Sequence, residues 1–297
     1  MGFLAVSIAF NVTFALSTRV AQARGYDFFL VTGVNYVTAL AAALIWFVWQ
    51  PVRVVDLPSV AFGILQGVQY GVTIVGIYFL LARLGVGITF TLIRLSVIVP
   101  TLVSVAVFGE RTSAAALAGI GLMLLSIPLL TVQRERRAHA AATAWWVWPG
   151  VVALLLFTGA GLTAAKAFNE VSTPDHRPAF LLVTFATSVA LALSTFALRR
   201  RLQPSVPPLR DLWSSARPAL VAPLTNGLVM GVANLAQLAF FVLALRVVPG
   251  TVAFPVHTSV AVLLTTAAGS LFWRERHGIM ALAGVAMALA GFVLVNV

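Results

Sequence analysis

Cysteine is missing from this chain, which excludes disulfides, thiolate metal sites and thiol redox chemistry. Charge is scarce: 9% of the residues are Asp, Glu, Lys or Arg, against about a quarter in a soluble domain. Carboxylates are scarcer still. The eight are Asp27, Asp56, Glu110, Glu135, Glu170, Asp175, Asp211 and Glu275, and each falls between apolar runs or at the end of one. Proton exchange through an intramembrane carboxylate therefore lacks its residue. The four histidines, His139, His176, His257 and His277, are far apart in sequence. A membrane-embedded, lipid-modifying enzyme would need paired acids, a nucleophile or metal ligands at a membrane face, and none stands out.

What is abundant is apolar: 61% of the 297 residues are hydrophobic. A helix needs about 20 such residues to cross the hydrocarbon core of a bilayer. The pattern predicts ten spans, near 2–18, 28–49, 59–82, 86–107, 113–132, 147–169, 178–198, 217–245, 249–272 and 277–297. Turn and charge signals separate them, among them Arg24-Gly25-Tyr26-Asp27, Gln50-Pro51 and Pro174-Asp175-His176-Arg177. Met1 leads straight into an apolar segment with no basic flank, so the first span is expected to be retained. The net charge of +11 would suggest nucleic acid for a soluble protein. Here the arginines sit mostly at span ends and in short connections, which predicts anchoring at lipid headgroups and no nucleic-acid partner. Trp46, Trp49, Trp145, Trp146 and Trp148 fit the same interfacial belt.

The two halves echo each other. Glu110-Arg111 with Ala116-Leu117-Ala118-Gly119 recurs as Glu275-Arg276 with Ala281-Leu282-Ala283-Gly284. Upstream, Leu80, Arg83, Gly87 and Ser96 match Leu243, Arg246, Gly250 and Ser259, and Gly63 and Gly67 match Gly227 and Gly231. A duplicated unit with five crossings enters the membrane the opposite way the second time. This predicts an all-α membrane protein of ten transmembrane helices, as two five-helix inverted-topology repeats around a central cavity. The repeats run 1–140 and 141–297, packed as one transmembrane unit. Secondary carriers built this way bind substrate near the midplane, between the halves.

The Gly109-Glu110-Arg111 signature, the following Gly119-Ile120-Gly121 span and the echo at Glu275-Arg276 with Gly284 resemble the drug/metabolite transporter superfamily. The resemblance is to its ten-helix EamA branch of bacterial inner-membrane exporters, and it covers essentially the whole chain. Trp273-Arg274 departs from the pattern where the first half has Phe108-Gly109. The resemblance implies a multi-pass inner-membrane exporter of amino acids, other small metabolites or drugs, without catalytic residues or cofactors. A monomer is compatible with it. It also places both termini in the cytoplasm. The basic residues argue the opposite: Arg19, Arg24, Arg83, Arg134, Arg199 and Arg274 fall in connections away from the termini, the side that the positive-inside rule assigns to the cytoplasm.

Polar side chains inside the spans are the candidate substrate contacts, because polar groups at depth must face protein or water. Arg94 is the sharpest, since a guanidinium at mid-span costs roughly 2.5–3.5 kcal/mol on insertion scales. It is read as the partner of a carboxylate or phosphate, against a structural role capping carbonyls. His257 occupies the matching place in the second half, either as a proton-linked group or as a neutral hydrogen-bonded histidine. Asn11, Asn35, Tyr36, Gln69, Tyr70, Ser96, Asn234, Gln237 and Ser259 complete the expected lining. Pro100 and Pro255 are expected to bend their helices, and Gly67 and Gly231 to let helices pack closely and slide. Lys166 is expected in a surface ion pair with Glu170, one turn on. The expected activity is alternating-access export of an amino acid or another carboxylate-bearing metabolite. The alternative is export of drugs or lipophilic compounds on the same fold.

Overall fold

A computed structural model describes residues 1–51, 53–111, 113–131, 147–202, 217–273 and 278–295. Among them are ten α-helices and no strand. In chain order these are α1 (Gly2–Ala23), α2 (Phe28–Trp49), α3 (Leu57–Leu95), α4 (Ile98–Ala106) and α5 (Ala114–Thr131), followed by α6 (Val147–Val171), α7 (Arg177–Leu202), α8 (Arg217–Ala244), α9 (Gly250–Trp273) and α10 (Ile279–Val295). Six of them, within α1, α2, α6, α7, α8 and α9, are long and apolar enough to cross a membrane. The chain is thus a multi-pass membrane protein by helix length and composition. The expected repeat boundary near residue 140 and the Glu275-Arg276 echo lie outside the described residues, as do Trp145 and Trp146.

The helices start where local chemistry starts them. Asp27 accepts the Leu30 N–H at 2.8 Å and caps α2. Asp56 accepts the Ser59 N–H at 3.0 Å and caps α3, with Pro58 in the first turn, where its missing N–H has no helical partner to lose.

One boundary differs from the sequence expectation. Spans were expected at 59–82 and 86–107, but the backbone is helical without interruption from Leu57 to Leu95. Gly85 and Gly87 do not break it: a helical glycine costs about 1 kcal/mol but keeps its N–H. The break comes at Ser96–Val97. Pro100 cannot donate to the Ser96 carbonyl, and its ring crowds that oxygen. Val99 donates to Ser96 instead, at 3.1 Å, and Ser96 and Val97 donate three residues back to Ile93 and Arg94. Pro100 therefore sits in the first turn of α4, and Arg94 ends α3 rather than lying mid-helix.

The helices pack in a defined set of pairs: α3 on α6 and α7, α8 on α1 and α2, α2 on α7, and α5 on α10, while α9 meets α1, α4 and α5. Two of these contacts are close. A methyl group at Gly67 would meet the Thr184 carbonyl oxygen at 2.5 Å and Thr187 Cβ at 2.6 Å, so α3 rests directly on the α7 backbone. A methyl group at Gly231 would meet the Asn35 carbonyl oxygen at 2.5 Å and Thr38 Cβ at 2.5 Å, which puts α8 on α2 in the same way. Gly63 against Val183 and Gly227 against Val34 continue the two contacts one turn earlier.

Burial is turned around relative to a soluble protein. Leu44, Ile45, Leu125, Leu193, Leu228 and Val293 are exposed on the outside. Ser7, Asn35, Gln66, Gln69 and Asn234 are buried inside, beside Phe168, Phe180, Phe185 and Phe254. An apolar exterior around a hydrogen-bonded interior suits lipid as the surrounding solvent.

Candidate functional site

Two polar clusters occupy the interior. The first joins α1, α2, α8 and α9 by a chain of amides. Asn11 donates to Gln237 Oε1 at 2.5 Å, Gln237 donates to Asn234 Oδ1 at 3.0 Å, and Asn234 donates to Asn35 Oδ1 at 3.2 Å. Ser7 joins it by donating to the Gln237 main-chain carbonyl at 2.7 Å. The same hydroxyl lies 3.0 Å from His257 Nε2. With the Ser7 proton committed to Gln237, the imidazole must be the donor in that contact, so Nε2 carries hydrogen. The His257 ring also lies 4.7 Å from that of Phe241, centroid to centroid.

The second cluster joins α3 and α6. Gln66 donates to Gln69 Oε1 at 2.7 Å, Gln69 donates to Thr73 at 3.0 Å, and Thr73 meets Thr158 at 3.2 Å. Gln66 Oε1 is buried and accepts no hydrogen bond. Tyr36 of α2 stacks on Tyr70 of α3 with ring centroids 6.2 Å apart, and Tyr70 continues to Phe185.

Arg94 stands where α3 ends, half-buried, and the cation suits the negative end of that helix. Among the described residues no carboxylate interacts with it, and its charge acts on His257 of α9. Among the described residues it joins no salt bridge.

The remaining predicted residues divide. Ser96, just past the end of α3, donates to the Ile93 carbonyl of that helix at 2.6 Å, and Ser259 donates to the Met123 carbonyl of α5 at 3.1 Å. Both hydroxyls are thereby committed to helix carbonyls. Pro255 lies within α9, whose helical backbone continues through it. Ser7, Gln66, Thr73 and Thr158 were not predicted as site residues. Ser7 had a readable signal, since it lies one helical turn before Asn11 on the same face.

A third cluster closes one end of the bundle, where four connections meet. Glu110, in the α4–α5 connection, accepts the Gly250 and Thr251 N–H groups that open α9, each at 2.8 Å. Its carboxylate also lies 2.9 Å from Lys166 Nζ on α6, and Lys166 reaches Glu170 at 2.6 Å. The ion pair expected at the surface is thus buried on the lysine side, with the Lys166 side chain 7% exposed, and shared with a second carboxylate. Burial pushes the Glu110 carboxyl up, but the Thr251 amide, Lys166 and the Gly250 amide together bring it below the usual value. Gly109 makes this possible. Its φ of +64° turns the chain so that the Glu110 N–H reaches back to the Ser104 carbonyl at 3.1 Å.

At the same end, Asp56 Oδ2 accepts from Ser172 at 2.9 Å and lies 2.8 Å from His176 Nδ1. Burial raises the Asp56 carboxyl, yet the bonds from Ser59, Ser172 and His176 outweigh it and hold it at about 2. Aspartate, histidine and serine so placed invite comparison with a hydrolytic triad. The geometry is wrong for that chemistry: Ser172 and Asp56 both address Nδ1, and the serine proton points at the aspartate. The group ties the α2–α3 and α6–α7 connections together. Arg246, after α8, adds to the tie by donating to the Ser172 carbonyl at 2.9 Å and to Asn169 Oδ1 at 3.3 Å.

No family model matches this chain, and no curated protein matches it. One solved crystal structure of a protein superposes on the whole of this chain and on 99% of its own, with a TM-score of 0.70 and 16% identity. At that identity the likeness concerns the fold alone: this helical architecture exists end to end in another protein.

Proposed function

We propose that the protein is a secondary transporter that moves a small carboxylate-bearing metabolite, an amino acid or other organic acid, by alternating access. The observation that carries this reading is Arg94, a half-buried cation at the end of an apolar helix that joins no salt bridge among the described residues. In the sequence all eight acids fall between apolar runs or at the end of one, so in this reading a bound solute supplies the anion. Guanidinium binds carboxylate through paired charge-assisted bonds. In this reading the amides of Asn11, Asn35, Asn234 and Gln237 offer the solute neutral donors and acceptors. His257 stands beside Arg94 as the group that responds to the solute's charge.

The two-half plan supports the transport reading. If α1–α5 correspond to α6–α10, packing pairs should recur under exchange of the halves; the main ones do, whereas α5 with α9 and α3 with α5 have no comparable counterpart. The contact of α3 with α7 then answers that of α8 with α2, and α3 with α6 answers α8 with α1. The glycine contacts repeat in detail, Gly63 and Gly67 on Val183 and Thr187, Gly227 and Gly231 on Val34 and Thr38. Together with the resemblance to EamA-type exporters, this favours an inverted-repeat carrier of the bacterial inner membrane.

A lipophilic-cation exporter fits less well, because Arg94 presents a cation and no carboxylate pairs with it among the described residues. Flux in proteoliposomes is the test. Radiolabelled amino acids and short organic acids should exchange across the membrane with wild-type protein and not with Arg94→Gln, and no flux of any of them would refute the reading.

A further inference from the structure

The clusters in the interior are the ones a carrier needs. The charged cluster at the end of the bundle is not explained by binding, and five of its bonds, made by Glu110 and Asp56, cross between the halves. Glu110 belongs to the first half, whereas Lys166, Gly250 and Thr251 belong to the second. Asp56 belongs to the first half, whereas Ser172 and His176 belong to the second. A carrier that opens at this end must part the connections that meet here, and these contacts would break.

We propose that Glu110 and Lys166 form the latch of a gate at this end of the bundle, and that the structure is the state closed there. This rests on the alternating-access reading above. Glu110 is the pivot for three reasons. Its two oxygens hold the first two amides of α9, the helix that carries His257, so release of Glu110 frees the start of that helix. Those amides are the positive end of the α9 dipole, where a carboxylate is favoured. Lys166 then adds a full positive charge at 2.9 Å, in a place only 12% exposed on the glutamate side chain. All these contacts favour the ionised carboxylate, and the lowered proton affinity of Glu110 agrees with them.

Lys166 is held between two carboxylates of different standing. Glu110 lies across the half-to-half boundary, and Glu170 lies on its own helix, with a side chain 44% exposed. When the connections part, Lys166 keeps Glu170, so opening leaves no buried ammonium without a partner. That arrangement makes the Glu110 bond the breakable one. The cleft at this end, about 450 Å³ and lined by Glu110, Lys166, Asn169, Glu170, Arg246 and Val248, gives the parting segments room and already admits water to the outer side of the latch.

The natural absence of cysteine makes the test direct. Val242 is fully buried on α8, and its carbonyl holds Asn169 beside the latch. Leu57, 80% exposed at the same end, reports which side of the membrane that end faces. Val242→Cys and Leu57→Cys are made singly, in the full chain in vesicles, and each is labelled with a membrane-impermeant maleimide applied from either side.

From the side that labels Leu57→Cys, the Val242→Cys rate should rise about tenfold in Glu110→Gln and in Lys166→Met, as a loss of ~1.4 kcal/mol from the closed state produces. Lys166→Arg should label as slowly as the parent. Rates unchanged in both Glu110→Gln and Lys166→Met, with Leu57→Cys labelling normally, would overturn the latch. A Glu110 variant that fails to fold loses the normal Leu57→Cys behaviour, and the Lys166 pair then decides. The labelling needs no substrate. A failure to find any transported solute therefore leaves this result standing, and the reverse also holds.

Discussion

The Ser7 hydroxyl gives its proton to the Gln237 carbonyl and receives one from His257. That arrangement places a hydrogen on His257 Nε2. It also means that His257 links α9 to α1 and, through Ser7, to α8. His257→Gln can keep an N–H in the Nε2 position, whereas His257→Ala cannot. The glutamine variant should unfold in detergent at nearly the wild-type temperature. The alanine variant should lose ~1–3 kcal/mol, through the lost bond and the space left against Phe241. Equal stability of the two would show that the bond contributes nothing.

Arg94 gives the opposite sign. Removing an unpaired cation from the interior removes its desolvation penalty, so Arg94→Gln should be more stable than wild type, by a part of the ~2.5–3.5 kcal/mol that insertion scales assign to the charge. The same variant should bind its anion 10-fold or more weakly, in keeping with the ~1.5–3 kcal/mol of a bond to a charged group. A residue serving structure alone would destabilise the protein when replaced. Thermal unfolding with and without a saturating candidate anion separates the two outcomes.

Gly67→Ala and Gly231→Ala should each destabilise by ~1–3 kcal/mol, because the added methyl meets a main-chain carbonyl that has little freedom to move. Gly121→Ala is the control: nothing lies within 4 Å of the added carbon. Both halves use the same contact, so the two destabilisations should be similar. A large effect at one glycine and none at the other would count against the correspondence of α3 with α8.

Asp56 predicts an acid transition. Its carboxyl ionises at about 2 in the folded chain, against an ordinary value of 3.8. A depressed value means that the stabilisation is complete above the ordinary value and is lost as pH falls through the lower one. Wild-type protein should therefore lose the Asp56 contribution between about pH 4 and pH 2, while Asp56→Asn, which never has it, should be flatter over that interval. Unfolding temperatures of both proteins, measured across that range in detergent, test this.

Much of the interior was legible in the sequence for one physical reason: a polar side chain deep in an apolar run needs a partner. Asn11, Asn35, Asn234 and Gln237 stood out on that ground and lie on one hydrogen-bonded chain. Ser96 and Ser259 stood out equally, but a hydroxyl can bond a helix carbonyl, and both do. The α3 boundary differs from the expected one because Gly85 and Gly87 remove no backbone donor, whereas Pro100 removes one. The closed end of the bundle was the least readable part. Glu110 is an ordinary loop acid until the left-handed turn at Gly109 aims it at amides 140 residues away along the chain. Lys166 looked complete with Glu170 one turn on, and sequence spacing carries no sign of the second carboxylate.

The account stands or falls on a solute anion pairing with Arg94. Purified protein in proteoliposomes, loaded with a mixture of unlabelled amino acids and organic acids, should take up at least one of them in labelled form by counterflow. Arg94→Gln should abolish that uptake while remaining folded, and Arg94→Lys should retain part of it. Undiminished uptake by Arg94→Gln would contradict the central claim.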